Sequence, residues 1–446
     1  MTAYWATQAW LPAGVTERVR LEVDGGRITA VRTGVAARPG DRVLDGLLLP
    51  GLANGHSHAF HHALRGRTQA DGGTFWTWRE QMYAVAARLD PDAYLELATA
   101  VYAEMALAGY TVVGEFHYLH HGRGGRPYAD PNAMGAALVE AAARAGVRLT
   151  LLDTCYLRGG LDADGYRPLD AVQEQFGDGT VDGWAERWGR LRSVETETAR
   201  VGGAIHSVRA VPAADLATVA RTVGSRSDGA PLHVHVSEQP AENEACRAQH
   251  GCSPAELLAA HGVLGPRTTA VHATHLTDHD ITLLGESGTT CCVCPTTERD
   301  LADGIGPAHA LLAAGSPLSV GSDQNAVVDP FEEVRGLELH ERLSSRRRGR
   351  FTPDQLLAAG TRAGYASLGW PEGGALAVGA LADFVAVRTG TVRTVGSRPE
   401  QILHAAGAPD VNAVVVAGRV VVEDGEHRLG PVAGMLGRAL AQLDVA

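Results

Sequence analysis

The feature that most constrains the fold is a regular alternation of predicted strands and helices through the middle of the chain. Short apolar segments rich in β-branched residues are separated by longer segments with helical periodicity. This alternation predicts parallel strands joined by helices, and a count of eight strands favours a closed (β/α)8 TIM barrel. A doubly wound open sheet is the alternative. The predicted strands begin near Leu47, Tyr110, Val147, Gly203, Pro231, Thr269, Thr289 and Pro317.

Both ends of the chain show a different pattern, that of antiparallel strands. Residues 19–23 and 27–31 alternate apolar and polar side chains around Asp24-Gly25-Gly26, which predicts a β-hairpin. Residues 381–387 and 411–422 are short strands of the same kind. We therefore expect an α/β protein in which the barrel takes residues 49–374 and both termini, 1–48 and 375–446, form a small β-sandwich domain.

The apolar run at residues 43–52 is predicted to be a buried strand that leads into His56-Ser57-His58. Two histidines two residues apart on a strand point to the same side of it. At the carboxyl end of a barrel strand they can offer two imidazole nitrogens to one metal ion. Two solvated loop histidines are the simpler interpretation of this motif alone. Whether the pair binds a metal ion therefore depends on the side chains at the other strand ends.

Five further strand ends carry side chains that can bind a metal ion or move a proton. Active sites of (β/α)8 barrels lie at the carboxyl ends of the strands, so these side chains are expected to converge. Catalytic zinc is held by imidazole and carboxylate ligands and keeps one position open for a water molecule, which it activates. The side chains are Glu115, His117 and Tyr118 of strand two, His206 and Arg209 of strand four, His233, His235 and Glu238 of strand five, His272 of strand six and Asp323 of strand eight.

Chemistry divides this set into metal ligands and a proton shuttle. The strand-one pair, one histidine of strand five and Asp323 are predicted to hold the ion. Alternation does not decide whether His233 or His235 faces inward, although the spacing to Glu238 favours His235. Glu238 can then hydrogen-bond the water and move its proton. Zinc fits these ligands best, with iron or manganese as alternatives.

The chain has no lysine, and all 39 of its basic side chains are arginine. This excludes a pyridoxal-phosphate Schiff base, a phosphate-loop lysine and a carboxylated lysine that bridges two metals. The net charge of −12 argues against nucleic acid as a partner. No apolar run reaches the roughly 18 residues of a membrane span. No signal peptide is visible and the six cysteines fit a reduced compartment, which predicts a cytoplasmic location.

Several motifs that occur together and in order resemble the amidohydrolase superfamily, in its metal-dependent deaminase branch: LPGLANGHSHAF, HVHVSEQ, VHATHL and GSD. The stretches CPTTERDLADGIGP, TFWTWREQMY and GEFHYLHH are similar to the formimidoylglutamate deiminases of that branch. The resemblance covers nearly the whole chain and implies loss of ammonia from N-formimidoyl-L-glutamate to give N-formyl-L-glutamate. It implies one zinc ion per subunit at His56, His58, His235 and Asp323, with Glu238 as the proton shuttle, His272 polarising the reacting group, and Asp323 doubling as proton acceptor.

A glutamate-derived substrate has two carboxylates, and arginine is suited to bidentate recognition of a carboxylate. Arg79 and Arg209 match the carboxylate-binding positions of the family that the chain resembles. Tyr118 and His206 match its other substrate contacts. The resemblance therefore implies a small substrate that carries carboxylates, and it also implies a homodimer.

This chain departs from the family pattern at two places near the predicted pocket. His61 stands where a glutamine usually contacts the substrate, and Gln324-Asn325 replaces a usual Ser-His. Both departures leave the metal chemistry untouched but bear on the substrate. Residues 61–80 and 119–130 are the candidate loops to close over it.

Two other functions stay open on the sequence. One is a deaminase of the same branch that acts on a purine, a pyrimidine or another ring amidine, although a neutral base needs no pair of arginines. The other is a non-catalytic metal-binding scaffold. The intact Glu238 and His272 argue against the scaffold, because a protein that only binds needs no proton shuttle.

Overall fold

The computed structural model describes residues 2–68 and 75–443. The strands within these ranges are β1 (Thr2–Leu11), β2 (Gly14–Asp24), β3 (Arg27–Arg32), β4 (Arg42–Pro50), β5 (Leu52–Ser57), β6 (Tyr110–His117), β7 (Arg148–Cys155), β8 (Gly160–Asp162), β9 (Gly165–Arg167), β10 (Ala199–Ile205), β11 (Leu232–Val236), β12 (Thr268–His272), β13 (Thr290–Val293), β14 (Leu318–Val320), β15 (Phe384–Val387), β16 (Val411–Val416), β17 (Arg419–Glu423) and β18 (Glu426–His427).

The α-helices of the same ranges fall mainly between the barrel strands. They are α1 (Phe75–Ala86), α2 (Pro91–Ala108), α3 (Ala133–Ala145), α4 (Val181–Leu191), α5 (Ala213–Gly224), α6 (Pro240–His250), α7 (Pro254–Ala260), α8 (Asp278–Glu286), α9 (Pro295–Asp300), α10 (Ala308–Ala314), α11 (Pro330–Ser345), α12 (Pro353–Gly360), α13 (Arg362–Ser367) and α14 (Val432–Gln442). None of these helices combines the length and apolar character needed to span a membrane.

Eight parallel strands form the barrel, in the order β5-β6-β7-β10-β11-β12-β13-β14. The ring closes between its first and last strands, where Ser57 forms a parallel bridge with Asp323. The backbone N–H of His58 donates to Asp323 O, and the N–H of Asp323 donates to His56 O, both at 2.9 Å. The predicted (β/α)8 fold is therefore confirmed, and the doubly wound alternative is wrong.

The start of the barrel differs from the prediction. The apolar run at residues 43–52 is not one strand: β4 belongs to the small sheet, and the barrel begins only with β5. The chain changes sheets at Gly51, where a Cβ would collide with the hydroxyls of Thr111 and Tyr365. Both segments are buried, so no polar residue in the sequence marks the change.

The small sheet joins strands from both ends of the chain, in the order β18-β17-β16-β15-β4-β1-β2-β3. Strand β4 serves two cores, because its side chains alternate between the two faces. Leu44 and Leu48 pack with Tyr4 and Phe384 inside the small β domain, whereas Leu47 and Leu49 pack into the barrel core. The small β domain built from both termini is thereby confirmed.

The exact domain limits, 1–48 with 375–446 and 49–374, stay a prediction. Helix α14 lies in the C-terminal segment but packs against barrel helix α2. Nearby, Arg88 Nη1 donates to Leu443 O at 2.6 Å. The C-terminal segment therefore serves both parts of the molecule.

The amino-terminal end of the barrel is plugged by the segment around α13. Thr150 of β7 donates its hydroxyl to Leu368 O at 2.7 Å, and Trp370 Nε1 donates to the same hydroxyl at 2.9 Å. A buried ion pair lies close by, between Arg148 Nε and Asp383 Oδ2 at 2.6 Å. With this end closed, side chains at the carboxyl ends of the strands are left to form a pocket.

Candidate active site

A pocket opens at the carboxyl ends of the barrel strands. The loop after β5, helix α1 and the strand ends supply its walls. All but one of the predicted site residues line it: His58, His61, Arg79, Tyr118, His206, Arg209, His235, Glu238, His272 and Asp323. The exception is His56, whose fully buried ring packs against His58 and His235 behind the pocket wall.

Three imidazoles converge on one carboxylate at this wall. The Nε2 atoms of His56 and His58 lie 3.2 and 3.3 Å from Asp323 Oδ1. The Nε2 atoms of His56 and His235 are 3.1 Å apart. The ligand-type atoms of these four residues all lie within 4.8 Å of one another. These are the same four residues that were predicted as ligands, and of the two histidines of β11 the set includes His235.

The backbone fixes which nitrogen each histidine turns to the centre. Nδ1 of His58 donates to Phe116 O at 2.9 Å, and Nδ1 of His235 donates to His206 O at 2.8 Å. Their Nε2 atoms are then lone-pair donors that face the carboxylate, an arrangement typical of metal ligands. Burial, together with the neighbouring imidazoles, holds the pKa of His56 and His58 well below the usual value. Neutral rings are the form that a metal ion needs.

His233 is buried one layer below His235 on the same face of β11. Its Nε2 lies 3.0 Å from Ser367 O, within the plug at the amino-terminal end of the barrel. Both histidines face inward because they are two residues apart on a strand. The two histidines therefore differ in their depth in the barrel: His235 lies in the candidate metal centre, and His233 contacts the backbone below it.

Two pocket residues have backbone conformations that non-glycine residues rarely adopt. His272 has a φ of 68° and Asp323 a φ of 43°. Each lies at or just past the end of its strand, where the left-handed turn redirects the chain toward the pocket. Such strain costs about 1–3 kcal/mol per residue and is found mostly at functional sites.

His272 lies among three carboxylates. Its Nε2 is 3.7 Å from Glu238 Oε1 and 4.0 Å from Asp323 Oδ2, and its Nδ1 is 3.5 Å from Glu298 Oε1. Burial disfavours a charged ring, but the Coulombic attraction of Glu238 and the other carboxylates outweighs it and raises the pKa of His272 to about 10. These carboxylates favour the protonated form of the His272 ring, which lines the pocket.

Glu298 is a functional candidate that the sequence reasoning missed. It lies on α9 within the CPTTE stretch, and its Oε1 also accepts a hydrogen bond from the N–H of Cys294 at 2.9 Å. The side chain is 2% exposed. An acidic residue in the first turn of a short helix that follows a barrel strand was the available signal.

The two predicted carboxylate-binding arginines lie in the same pocket. Arg209 Nη2 lies 3.2 Å from Glu238 Oε2, and its Nε lies 3.7 Å from Glu242 Oε2. Arg79 Nε donates to the hydroxyl of Tyr83 at 2.6 Å. Burial by itself would lower the pKa of both guanidinium groups. The phenols of Tyr156 and Tyr83 beside Arg79, and the carboxylates of Glu242 and Glu238 beside Arg209, outweigh burial and raise the pKa of both above the usual value.

The departures from the family pattern have different structural positions. His61 lines the pocket, and its Nε2 lies 2.9 Å from the hydroxyl of Tyr118. Asn325 instead ties the two ends of the barrel ring together, because its Nδ2 donates to His58 O at 3.0 Å. Gln324 donates Nε2 to Asp300 Oδ2 at 2.7 Å. Of these three residues, His61 is the one in a position to contact a substrate.

The candidate loops contribute unequally to the described pocket wall. The segment 61–80 contributes His61, Trp78 and Arg79 to the lining. Its residues 69–74 lie outside the described residues. No described lining residue comes from 119–130. The β8–β9 hairpin also lines the pocket, through Gly160, Leu161 and Arg167. The sequence pattern did not predict this hairpin.

Two strand-end residues of β6 point away from the pocket. Glu115 accepts a hydrogen bond from the N–H of Ala59 at 2.7 Å and so anchors the loop that follows His58. His117 lies near His120 and Asp153 in a second buried cluster. The Asp153 carboxylate there is already paired with Arg187, whose Nη1 and Nη2 lie 2.7 and 3.0 Å from its two oxygens.

Comparison with known proteins agrees with this geometry. Residues 47–421 match the model of the amidohydrolase family. The chain belongs to the amidohydrolase family. Residues 1–45 match a second model, described as the N-terminal domain of formimidoylglutamate deiminase HutF.

Individual relatives are similar over nearly their full lengths. A formimidoylglutamate deiminase of Pseudomonas aeruginosa is 37% identical, over 96% of this chain and 96% of that protein. The crystal structure of an amidohydrolase from Brucella melitensis has a TM-score of 0.92 and 34% identity, over 99% of this chain and all of that one. An adenosine deaminase from Xanthomonas campestris with bound zinc has a TM-score of 0.84 and 26% identity, over 99% and 98% of the two chains.

Proposed function

We propose that this protein hydrolyses N-formimidoyl-L-glutamate to N-formyl-L-glutamate and ammonia. In this reaction water replaces the imino nitrogen on the formimidoyl carbon, which becomes a formyl group. The observation that carries the proposal is that three imidazoles and a carboxylate cluster at the wall of a pocket that two arginines also line. The similarity to the deiminase of Pseudomonas aeruginosa supports the substrate.

We infer that His56, His58, His235 and Asp323 would hold one divalent metal ion. Their donor set fits zinc, since three neutral imidazoles and one carboxylate meet in a buried space. The zinc in the structure of the Xanthomonas campestris relative supports this choice. When bound, the ion would polarise a water molecule and so make it a nucleophile at neutral pH.

The chain's own side chains would handle the protons. Glu238 would accept a proton from the attacking water and deliver it to the departing nitrogen. His272 lines the pocket with Nε2 3.7 Å from Glu238 Oε1, so its ring N–H would hydrogen-bond the substrate close to the reacting carbon. Asp323 is 4.0 Å from the same ring and would accept a second proton.

The two carboxylates of the substrate would bind the two arginines. Arg79 projects from α1, and Arg209 follows β10, so the two cations approach the pocket from different elements. A guanidinium can hold a carboxylate through two parallel N–H donors. A neutral purine or pyrimidine offers neither arginine a charge to bind, which disfavours the alternative of a ring deaminase.

Ammonia release from N-formimidoyl-L-glutamate tests the proposal. The purified protein is expected to produce ammonia, to lose this activity on treatment with a chelator, and to regain it with zinc. Adenosine and guanine serve as comparison substrates. Faster turnover of either base would overturn the substrate assignment, and activity that survives complete metal removal would overturn the metal assignment.

A further inference from the structure

Arg209 faces two carboxylates, both of them buried. Its Nη2 lies 3.2 Å from Glu238 Oε2, while its Nε lies 3.7 Å from Glu242 Oε2. The side chain of Glu242 is fully buried in the first turn of α6, and its Oε2 accepts a hydrogen bond from the N–H of Glu238 at 3.3 Å. Arg209 thus lies between Glu238, the predicted proton shuttle, and Glu242, a buried acid to which the proposed reaction gives no role.

The two contacts of Arg209 differ in quality. The Glu238 contact is a hydrogen bond, whereas the Glu242 contact is too long for one. Arg209 Nε and Glu242 Oε1 both lack a hydrogen-bond partner within the described residues, although both atoms are buried. Unpaired buried groups of this kind are costly, so a small movement of Arg209 toward Glu242 would be favourable if its bond to Glu238 were released.

We propose that a substrate carboxylate displaces Glu238 from Arg209, and that Glu242 is the positioning residue that holds Arg209 during this exchange. In the structure, the hydrogen bond from Arg209 Nη2 engages one oxygen of Glu238. A carboxylate that arrives with the substrate competes for Nη2 and leaves Glu238 available to the attacking water. The inference rests on the proposed function, because that function gives Glu238 its proton to carry.

Electrostatics adds a second effect in the same direction. A neighbouring cation favours the ionised form of a carboxylate, so the loss of Arg209 as a partner increases the affinity of Glu238 for a proton. The proton affinity of Glu238 would therefore rise when the substrate is bound, which is when Glu238 has to accept a proton from the attacking water. Recognition of the carboxylate is thereby coupled to catalysis rather than to binding alone, which is how remote binding interactions raise kcat.

Truncated substrates separate coupling from simple binding. The probes are 4-(formimidoylamino)butanoate, which lacks the α-carboxylate, and N-formimidoyl-2-aminobutanoate, which lacks the side-chain carboxylate. With one of them, kcat at saturation is expected to fall by about 10²-fold, the range for loss of a general acid–base group. Added propanoate should restore part of that kcat. Unchanged kcat with both probes, or a loss that propanoate does not relieve, would overturn the coupling.

Variants of α6 test the positioning residue. Glu242→Gln keeps the shape of the side chain but removes its charge, so Arg209 should stay on Glu238. We expect kcat for the full substrate to fall about tenfold or more with little change in KM or metal content, and propanoate should no longer activate truncated substrate. Glu244→Gln, on the exposed side of the same helix, is the matched control and should behave like the wild type.

The outcomes distinguish this inference from the proposed function. If the wild-type protein does not release ammonia from N-formimidoyl-L-glutamate, the function itself is wrong. If it does, and Glu242→Gln changes KM alone or changes nothing, the function stands and the coupling through Arg209 is wrong. Restoration of wild-type kcat by Glu242→Asp would favour a role for the charge over a role in packing.

Discussion

Nδ1 of His235 donates a hydrogen bond to the backbone carbonyl oxygen of His206, 2.8 Å away on the neighbouring strand. This contact makes Nε2 of His235 the nitrogen that faces the candidate metal centre. His206 therefore contributes twice, because its backbone orients a predicted ligand while its side chain lines the substrate pocket. Adjacent parallel strands are enough to create this relationship, since their carboxyl ends meet at one edge.

The choice between the two histidines of β11 gives the first prediction. His235→Ala should bind no stoichiometric zinc and should lose about 10³-fold or more in kcat, since a metal ion contributes several kcal/mol to such a reaction. His233→Gln should keep both zinc and activity, because Nε2 of His233 contacts Ser367 O instead. Metal analysis and ammonia release measure the two effects. Equal metal loss in both variants would contradict the assignment.

Glu298 gives the second prediction. Glu298→Gln retains an acceptor for the N–H of Cys294 but removes the charge beside Nδ1 of His272. We expect kcat to fall by about 10–100-fold, as is usual when an outer hydrogen-bond partner of a site is lost, with metal content unchanged. Glu286→Gln at the exposed end of α8 is the control. Wild-type kcat in Glu298→Gln would show that His272 needs no such partner.

The third prediction concerns the support of Arg79. Tyr83→Phe removes the hydroxyl that accepts from Arg79 Nε at 2.6 Å. A hydrogen bond to a charged group is worth about 1.5–3 kcal/mol, so KM for the dicarboxylate substrate should rise about tenfold while kcat changes little. Steady-state kinetics distinguish the two constants. Tyr128→Phe, at a tyrosine that does not line the pocket, should leave both constants unchanged. A fall in kcat alone for Tyr83→Phe would contradict the role.

Glu115 predicts a pH dependence of stability. Burial raises the pKa of Glu115 to about 8, against a usual value of 4.5. The folded protein therefore binds this proton more tightly than the unfolded chain, so the contribution to stability is complete below pH 4.5 and is lost as the pH rises toward about 8. Urea unfolding of wild type and Glu115→Gln at pH 6 and pH 9 measures it. The variant should lose less stability between these two pH values, and identical losses would contradict the prediction.

The buried pair of Arg148 and Asp383 links the barrel to the small β domain. Asp383 also accepts from the hydroxyl of Tyr365 at 2.9 Å. Asp383→Asn leaves Arg148 buried without its counter-ion and should lower the free energy of unfolding by about 3–5 kcal/mol. Glu140→Gln, which breaks a half-exposed pair with Arg144, should cost no more than about 1 kcal/mol. Denaturant titration compares the two, and equal losses would contradict the prediction.

The sequence predicts the side chains that could bind metal and substrate better than it predicts the residues that hold those side chains in place. Histidine spacing at a strand end determines which side chains share a face, so the convergence of His56 and His58 with Asp323 follows from the barrel. The depth of His233 does not follow, because it depends on where the plug around α13 meets β11. Glu242 and Glu298 were missed because their positions depend on how helices dock after the strands. The break at Gly51 was missed because burial on both sides erases its pattern.

Closure of the barrel between Ser57 and Asp323 also bears on biosynthesis. Synthesis from the amino terminus releases His56 and His58 long before the carboxylate that completes their set. A nascent chain can therefore offer two imidazoles to a passing ion, but it cannot form the full coordination environment until β14 has emerged and joined β5. If the proposed ligand set is right, fragments that stop short of β14 and Asp323 should be unable to retain metal, so metal capture would mark closure of the barrel rather than the end of synthesis.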